Sequence, residues 1–231
     1  MSVLLLVRHG QASFGKRNYD ALSERGHEQA RIVGAALAAR GVAPTRVVCG
    51  GLRRHAETVD GILEGLGSSA GPELVVDDGW DEFNFEHVMQ VHRPMYKSRV
   101  LLFADYARTR PSERRARFQA LFEEATQRWT GGDADDDYEE SFPAFSERVD
   151  AALRRTANEA EGTVVVVSSG GPIGLVASRL LAGDASLWVQ LNRVAVNAAV
   201  TKLVAGRSGI TLSTYNEHSH LEHDRSLVTY R

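Results

Sequence analysis

Three short aliphatic runs, residues 3–7, 46–49 and 73–76, alternate with two stretches of helical periodicity. Runs of this length are too short for buried helices and suit strands shielded on both faces. Helices joining successive strands make right-handed crossovers. The rhythm therefore dictates an α/β fold with a mostly parallel sheet and helices on both sides, a three-layer α/β/α sandwich. Ser23 is placed to cap the first helix, which runs to about Arg40 and is closed by Gly41; Ala30, Val33, Ala36 and Leu37 give it a buried stripe. The second helix is expected over 52–66.

The alternation pauses after the third strand. Residues 81–142 show no clear strand, while 99–110 and 112–129 have helical spacing, the latter with Phe118, Leu121, Phe122 and Ala125 on one face. This reads as a helical cap inserted into a single domain spanning 1–231. Within it, the acidic residues Asp133, Asp135, Asp136, Asp137, Glu139 and Glu140 follow a cluster of Arg108, Arg110, Arg114, Arg115 and Arg117. Both charge runs read as solvated surface, and the acidic one lacks the spacing and internal glycine of a calcium loop. A helix over 142–160, a strand over 164–167, a helix from Pro172 to about Leu181 and strands over 194–204 and 209–215 complete the chain. With 231 residues, 43% of them hydrophobic, there is material for one substantial core.

Three of the strand ends deliver polar groups. Arg8-His9-Gly10 follows the first strand, Arg53, Arg54 and His55 follow the second, and Ser168-Ser169-Gly170-Gly171 follows the Val-rich strand. In a parallel sheet these ends share one edge, where open α/β sheets bind ligands. Arginine offers a planar fork of donors for an anion, and histidine is largely neutral and nucleophilic near pH 7. Arg54 also falls in the first turn of a helix, whose free N–H groups favour an anion. The combination points to phosphate chemistry. Glu82, in Trp80-Asp81-Glu82-Phe83, has aromatic neighbours of the kind that raise a carboxyl pKa toward acid catalysis. Taken singly, each residue has a plainer reading: a packed strand-end imidazole, a surface guanidinium, an exposed loop carboxylate.

A formal charge of −3 gives no electrostatic case for nucleic-acid or membrane-surface binding. Cys49 is the only cysteine, which forbids an internal disulfide or a cysteine-based metal cluster and favours a reducing, cytoplasmic setting. The run 3–7 is too short for a signal-peptide core, and no stretch approaches about 18 apolar residues, so a soluble, unprocessed chain is expected. Trp188 and Leu191 read as core, with a homodimer interface as the alternative. Phe83, Phe85, His87, His92, Arg93 and Tyr96 are the cap residues that would line a pocket.

The pattern as a whole resembles the histidine phosphatase superfamily, the phosphoglycerate mutase-like proteins. The matching motifs are Leu-Val-Arg8-His9-Gly10, Leu22-Ser23-Glu-Arg-Gly26-His-Glu-Gln29-Ala30, Leu52-Arg-Arg54-His-Ala-Glu-Thr58, Trp80-Asp-Glu82 and Val-Val-Ser168-Ser169-Gly170-Gly171-Pro172. The resemblance implies a cap over the pocket and a phosphohistidine intermediate at His9. Arg8 and Arg54 would grip the non-bridging oxygens, Glu82 would supply the leaving-group proton, and Gly10, Ser169 and Gly170 would line the substrate site. It implies no metal and no cofactor, with a small phosphomonoester or inorganic phosphate as the ligand.

This chain departs from the pattern in two places. Ser169 stands where most members carry a second histidine; losing one donor to a developing anion costs about 2.7–4 kcal/mol in a comparable setting, roughly 100- to 1000-fold in rate. His218 and His220, in Asn216-Glu-His218-Ser-His220-Leu, are the candidates to restore it. The loop 11–21 is shorter than in the glycolytic mutases and carries Ala12-Ser13-Phe14-Gly15 in place of their Ser-x-Trp-Asn run. Hydrolysis is therefore expected over mutase chemistry, with a catalytically weakened phosphate-binding protein as the alternative. A serine hydrolase built on Ser169 would need glycine two residues earlier, where Val167 stands.

Overall fold

The computed structural model describes residues 1–13, 20–67, 71–98, 110 and 112–230. All but the last residue of the helix expected over 99–110 lies outside them, as do Arg108, Phe14 and Gly15 and the side chains of Arg114, Arg115 and Phe118. The strands are β1 (Ser2–Arg8), β2 (Arg46–Cys49), β3 (Glu73–Val76), β4 (Thr163–Ser168), β5 (Val200–Gly206) and β6 (Gly209–Glu217). Among the described residues there are seven α-helices: α1 (Glu24–Ala39), α2 (Arg53–Leu66), α3 (Phe85–His92), α4 (Arg114–Thr130), α5 (Phe142–Asn158), α6 (Gly170–Ala182) and α7 (Trp188–Val194).

The strands form one sheet in the order β3-β2-β4-β1-β5-β6. β3, β2, β4 and β1 are mutually parallel; β5 runs antiparallel to β1, and β6 antiparallel to β5. The sheet is thus mostly parallel, as the β-α rhythm requires. Leu5, Val7, Val47, Val165 and Val167 face Val33 and Leu37 of α1 and Val59 and Ile62 of α2. The alternate residues Leu4, Leu6, Val164 and Val166 point to the opposite face and are equally buried, so both sides of the sheet are covered. Each such aliphatic side chain contributes about 1.5–3 kcal/mol on leaving water. The Ser23 hydroxyl accepts from the Gly26 N–H at 3.1 Å, and Gly41 takes φ +69° just after α1 ends.

Two boundaries differ from expectation. The expected strand 194–204 begins only at Val200: Val194 closes α7, and Ala198 takes φ 59°, giving its N–H to Arg8 O at 3.0 Å rather than to a ladder. α6 begins at Gly170, two residues before Pro172, because the chain passes from extended Ser169 straight into the helix. Pro172 still lies in the first turn, where its missing N–H has no intrahelical acceptor to lose.

The chain divides into two compact units, one of Met1–Glu82 with Arg148–Arg231 and one of Phe83–Glu147. The second overlaps the stretch 81–142 and has an aromatic core. Phe83 stacks on Trp129 at 4.6 Å between centroids, Trp129 meets Phe142 edge-on at 5.1 Å, and the Trp129 indole donates to Glu140 O at 2.9 Å. Of the residues expected to line a pocket, Phe83 and Tyr96 are buried, His87 faces Glu139, and His92 and Arg93 face Glu124. In the acidic run, Asp137 pairs with Arg128. No helix among the described residues is long and apolar enough to cross a membrane.

Candidate active site

The register of the sheet decides which residues can meet. Arg8 lies opposite Ser168 and Cys49 opposite Val167, so His9, Ser169 and the segment leading into α2 leave the sheet at one level. From β1 the chain crosses toward β2, whereas from β4 it crosses the other way toward β5. The carboxyl ends of β1 and β4 therefore flank a topological switch point, the place where such sheets open a ligand crevice.

His9 is held by its backbone on both sides. Its N–H donates to Ser168 O at 2.8 Å, and its carbonyl accepts from Asn197 Nδ2 at 3.1 Å. In the ring, Nδ1 is 2.7 Å from the Gly10 carbonyl. A carbonyl only accepts, so Nδ1 bears the proton and Nε2 keeps its lone pair. Burial, then the charges of Arg54, Arg8 and His55, hold the imidazole well below its ordinary pKa. Both effects favour the neutral ring, with its lone pair on Nε2.

Gly10 fixes the turn. A Cβ there would lie 2.3 Å from the carbonyl oxygen of Gly26, so the loop after β1 touches α1 backbone to backbone. The Gly10 N–H donates to Thr58 Oγ1 at 3.1 Å, and Thr58 in turn donates to Arg54 O at 2.7 Å. One buried hydroxyl thus ties the histidine loop to the helix turn that carries Arg54. Gln29 accepts from the Gln11 N–H at 2.8 Å and donates to Leu227 O at 2.6 Å, bracing the same loop from behind.

The cationic groups arrive from two sides. Arg8 Nη1 donates to the carbonyls of Ala195 and, at 2.9 Å, of Tyr230. Arg54, largely buried, donates to Asp20 Oδ1 at 2.7 Å, and the other Asp20 oxygen accepts from the Arg53 N–H at 2.8 Å. A carboxylate bridging a guanidinium and a helix N-terminal N–H displays the anion preference of this corner. Glu82 Oε2 accepts from the Gly171 N–H at 3.2 Å, which brings the carboxylate to the first turn of α6, next to Ser169 and Gly170. The turn carrying it is tied down by Ser168 Oγ, donating to Trp80 O at 2.6 Å, and by Arg148, donating to the carbonyls of Asp78, Gly79 and Asp81.

Arg8, His9, Gly10, Arg54, Glu82, Ser169 and Gly170 therefore all sit at the carboxyl ends of β1 and β4 or in the turns tied to them. His218 and His220 have partners of their own. His218 Nδ1 meets Asn216 O at 2.7 Å and its Nε2 faces Glu222, while His220 Nε2 meets Ala198 O at 3.0 Å. None of these contacts is with His9, Arg8 or Arg54. Trp188 is 1% exposed and donates to Gly171 O at 2.9 Å, a core residue under α6. Sequence reading placed His55 among the strand-end polar groups without a role. In the structure its Nε2 is 2.8 Å from Ser169 Oγ and its Nδ1 3.6 Å from Asp81 Oδ1. Its one sequence signal was a histidine beside Arg54 in a first helical turn.

The sequence matches the family model of the histidine phosphatase superfamily (branch 1) over residues 4–117 and 101–218. Among solved structures, a putative alpha-ribazole-5'-P phosphatase from Escherichia coli superposes with a TM-score of 0.63 at 21% identity, over 94% of this chain and 96% of that one. A mutant phosphoserine phosphatase from Entamoeba histolytica in complex with phosphoserine gives 0.62 at 16%, over 96% and 100%. A phosphoglycerate mutase from Bacillus anthracis gives 0.63 at 20%, over 95% and 94%. At these identities the likeness establishes the fold. No curated protein matches the chain.

Proposed function

The chain belongs to the histidine phosphatase superfamily, branch 1, and from that premise we propose that it hydrolyses phosphomonoesters through a phosphohistidine on His9. The observation that carries this reading is the 2.7 Å contact between His9 Nδ1 and the Gly10 carbonyl, which leaves the Nε2 lone pair unprotonated, in a ring that feels the charges of Arg54 and Arg8. In the first half-reaction Nε2 attacks phosphorus, an N–P bond forms and the ester P–O bond breaks. Arg8, Arg54 and the N–H groups opening α2 and α6 stabilise the transferring oxygens. Glu82 gives its proton to the departing oxygen. In the second half-reaction the Glu82 carboxylate takes a proton from water as the water oxygen bonds to phosphorus and the N–P bond breaks.

The similar structures named above are described as acting on, or holding, small phosphomonoesters, and the same class is proposed here, in a reducing cytoplasmic setting suited to the single buried Cys49. Hydrolysis is preferred over mutase chemistry on the short loop after Gly10. A binding-only reading rests on Ser169 standing where most members carry a second histidine; under either reading an incoming phosphate must displace Asp20 from Arg54. p-Nitrophenyl phosphate decides between them. The wild type should release p-nitrophenolate continuously and His9→Asn should release none. Orthophosphate binding without turnover by the wild type would establish the binding-only protein instead.

A further inference from the structure

Three side chains from three different strand ends meet in a row whose histidine faces His9, and the two half-reactions use none of them. His55, in the first turn of α2, is fully buried, and its ring centroid lies 5.7 Å from that of His9. Its Nε2 is 2.8 Å from the Oγ of Ser169, the N-cap of α6, and its Nδ1 is 3.6 Å from Asp81 Oδ1. Gly50 makes the room: a Cβ there would lie 2.4 Å from both His55 Nδ1 and Asp81 Oδ1, so the pair closes over a bare Cα.

The chemistry of this row has a direction. The Asp81 oxygen faces Nδ1 at 3.6 Å, too far for a hydrogen bond but close enough for its polarity to favour a ring proton on that side, and the neutral Nε2 then accepts from the Ser169 hydroxyl. In that state Ser169 offers only a lone pair to an incoming oxygen. A second ring proton reverses the bond: Nε2–H donates to Oγ, and the hydroxyl is freed to donate to a phosphoryl oxygen.

We propose that Asp81, His55 and Ser169 form a proton-coupled relay that makes Ser169 a hydrogen-bond donor to the phosphoryl group only while a phosphomonoester is bound. The proton comes from the phosphomonoester monoanion, whose second ionisation lies near pH 6. It moves to His55 Nε2, leaving a dianionic ester beside an imidazolium that Asp81 stabilises, and it leaves again with the departing phosphate. Ser169 touches the phosphoryl oxygen, while His55 and Asp81 are positioning residues that act through it. With the site empty, burial holds the His55 pKa below its ordinary value and the Arg54 charge adds to that, against the pull of Asp81 and Asp20; His9 faces the same ring. A bound dianion tips this balance toward the imidazolium. The relay rests on the proposed reading of this crevice as a phosphomonoester site.

p-Nitrophenyl phosphate, whose leaving group needs no proton, separates the relay from Glu82. Ser169→Ala and His55→Asn should each lower kcat about 100-fold with a much smaller change in KM, and the double variant should be no worse than either. The basic limb of the wild-type kcat profile should be missing from both. Independently of turnover, 15N NMR should show His55 gaining its second ring proton when orthophosphate binds, in the wild type and in His9→Asn alike. This readout stands even where His55→Asn fails to fold. A protein that protonates His55 on binding orthophosphate but never turns over would overturn the His9 reading and leave the relay standing. A His55 that stays neutral with orthophosphate bound, strictly additive losses, an unmoved basic limb, or no orthophosphate binding at all would overturn the relay.

Discussion

Replacing Thr58 by Val removes one hydroxyl and almost no volume, yet it cuts the tie between the histidine loop and α2. Thr58 is fully buried; its Oγ1 accepts from the Gly10 N–H at 3.1 Å and donates to Arg54 O at 2.7 Å. In the Val variant the Arg54 carbonyl keeps its helical hydrogen bond, but the Gly10 N–H is stranded away from water, a loss of about 1–3 kcal/mol. For a chain of this length each kcal/mol shifts Tm by about 2–4 °C, so the midpoint should fall by roughly 2–12 °C. Because Gly10 also holds His9 Nδ1, the loosened loop misplaces the nucleophile, and a displacement near 1 Å costs about 100-fold in turnover. Thr58→Ser is the control: it loses one methyl, about 0.8 kcal/mol, but keeps the acceptor and should keep turnover. Thermal melts and p-nitrophenyl phosphate turnover of the three proteins decide the matter. A Val variant that melts and turns over like the wild type, or a Ser variant as impaired as Val, would refute the reasoning.

Gly10→Ala should be far worse than either, by about 3 kcal/mol or more, because its Cβ would meet the Gly26 carbonyl at 2.3 Å and neither backbone can yield; wild-type stability in urea would contradict this. Arg54→Gln removes the second largest influence on His9, so the imidazole should titrate at higher pH by NMR. It should still fall below its ordinary value of 6.5, because burial is the larger cause, and an unmoved midpoint would contradict that. The Glu217 carboxyl, with 28% of its side chain exposed, is held at about 2 against an ordinary value of 4.5; burial pulls it up, but the Ser219 hydroxyl and Arg40 outweigh that. A depressed carboxyl stabilises the fold above pH 4.5 and loses that contribution as pH falls toward 2, so Glu217→Gln should cost up to about 3 kcal/mol at pH 7 and progressively less at pH 3. A gap that does not narrow on acidification would rule this out.

Period and punctuation carried most of the sheet. β2 and β3 lie where their aliphatic runs end, and the Ser23 cap opens α1 as its hydroxyl dictates. That the polar groups behind β1 and β4 share one edge was legible for the same reason, since a residue directly behind a buried parallel strand has only one edge of the sheet to occupy. The strand drawn from 194 was too long because the positive φ at Ala198 is imposed by its contact with Arg8 and not by its residue type. His218 and His220 follow β6, which runs parallel to β1 and ends at the same edge. Asn216, at φ 58°, and the turn of Ser219–Leu221 then direct them to Asn216 O, Glu222 and Ala198. The surroundings of His55 were not legible because they depend on three segments meeting: a bare Gly50, a carboxylate from the turn after β3 and a hydroxyl from the end of β4. No local pattern encodes such a meeting.

The central claim is that His9 becomes phosphorylated, and the covalent intermediate itself is its most direct test. Wild-type protein mixed with 32P-labelled aryl phosphate, quenched in alkali within milliseconds and digested should yield an acid-labile label on the peptide containing His9, absent from His9→Asn. Steady turnover with no trapped label, or an acid-stable label on the peptide containing Ser169, would contradict it.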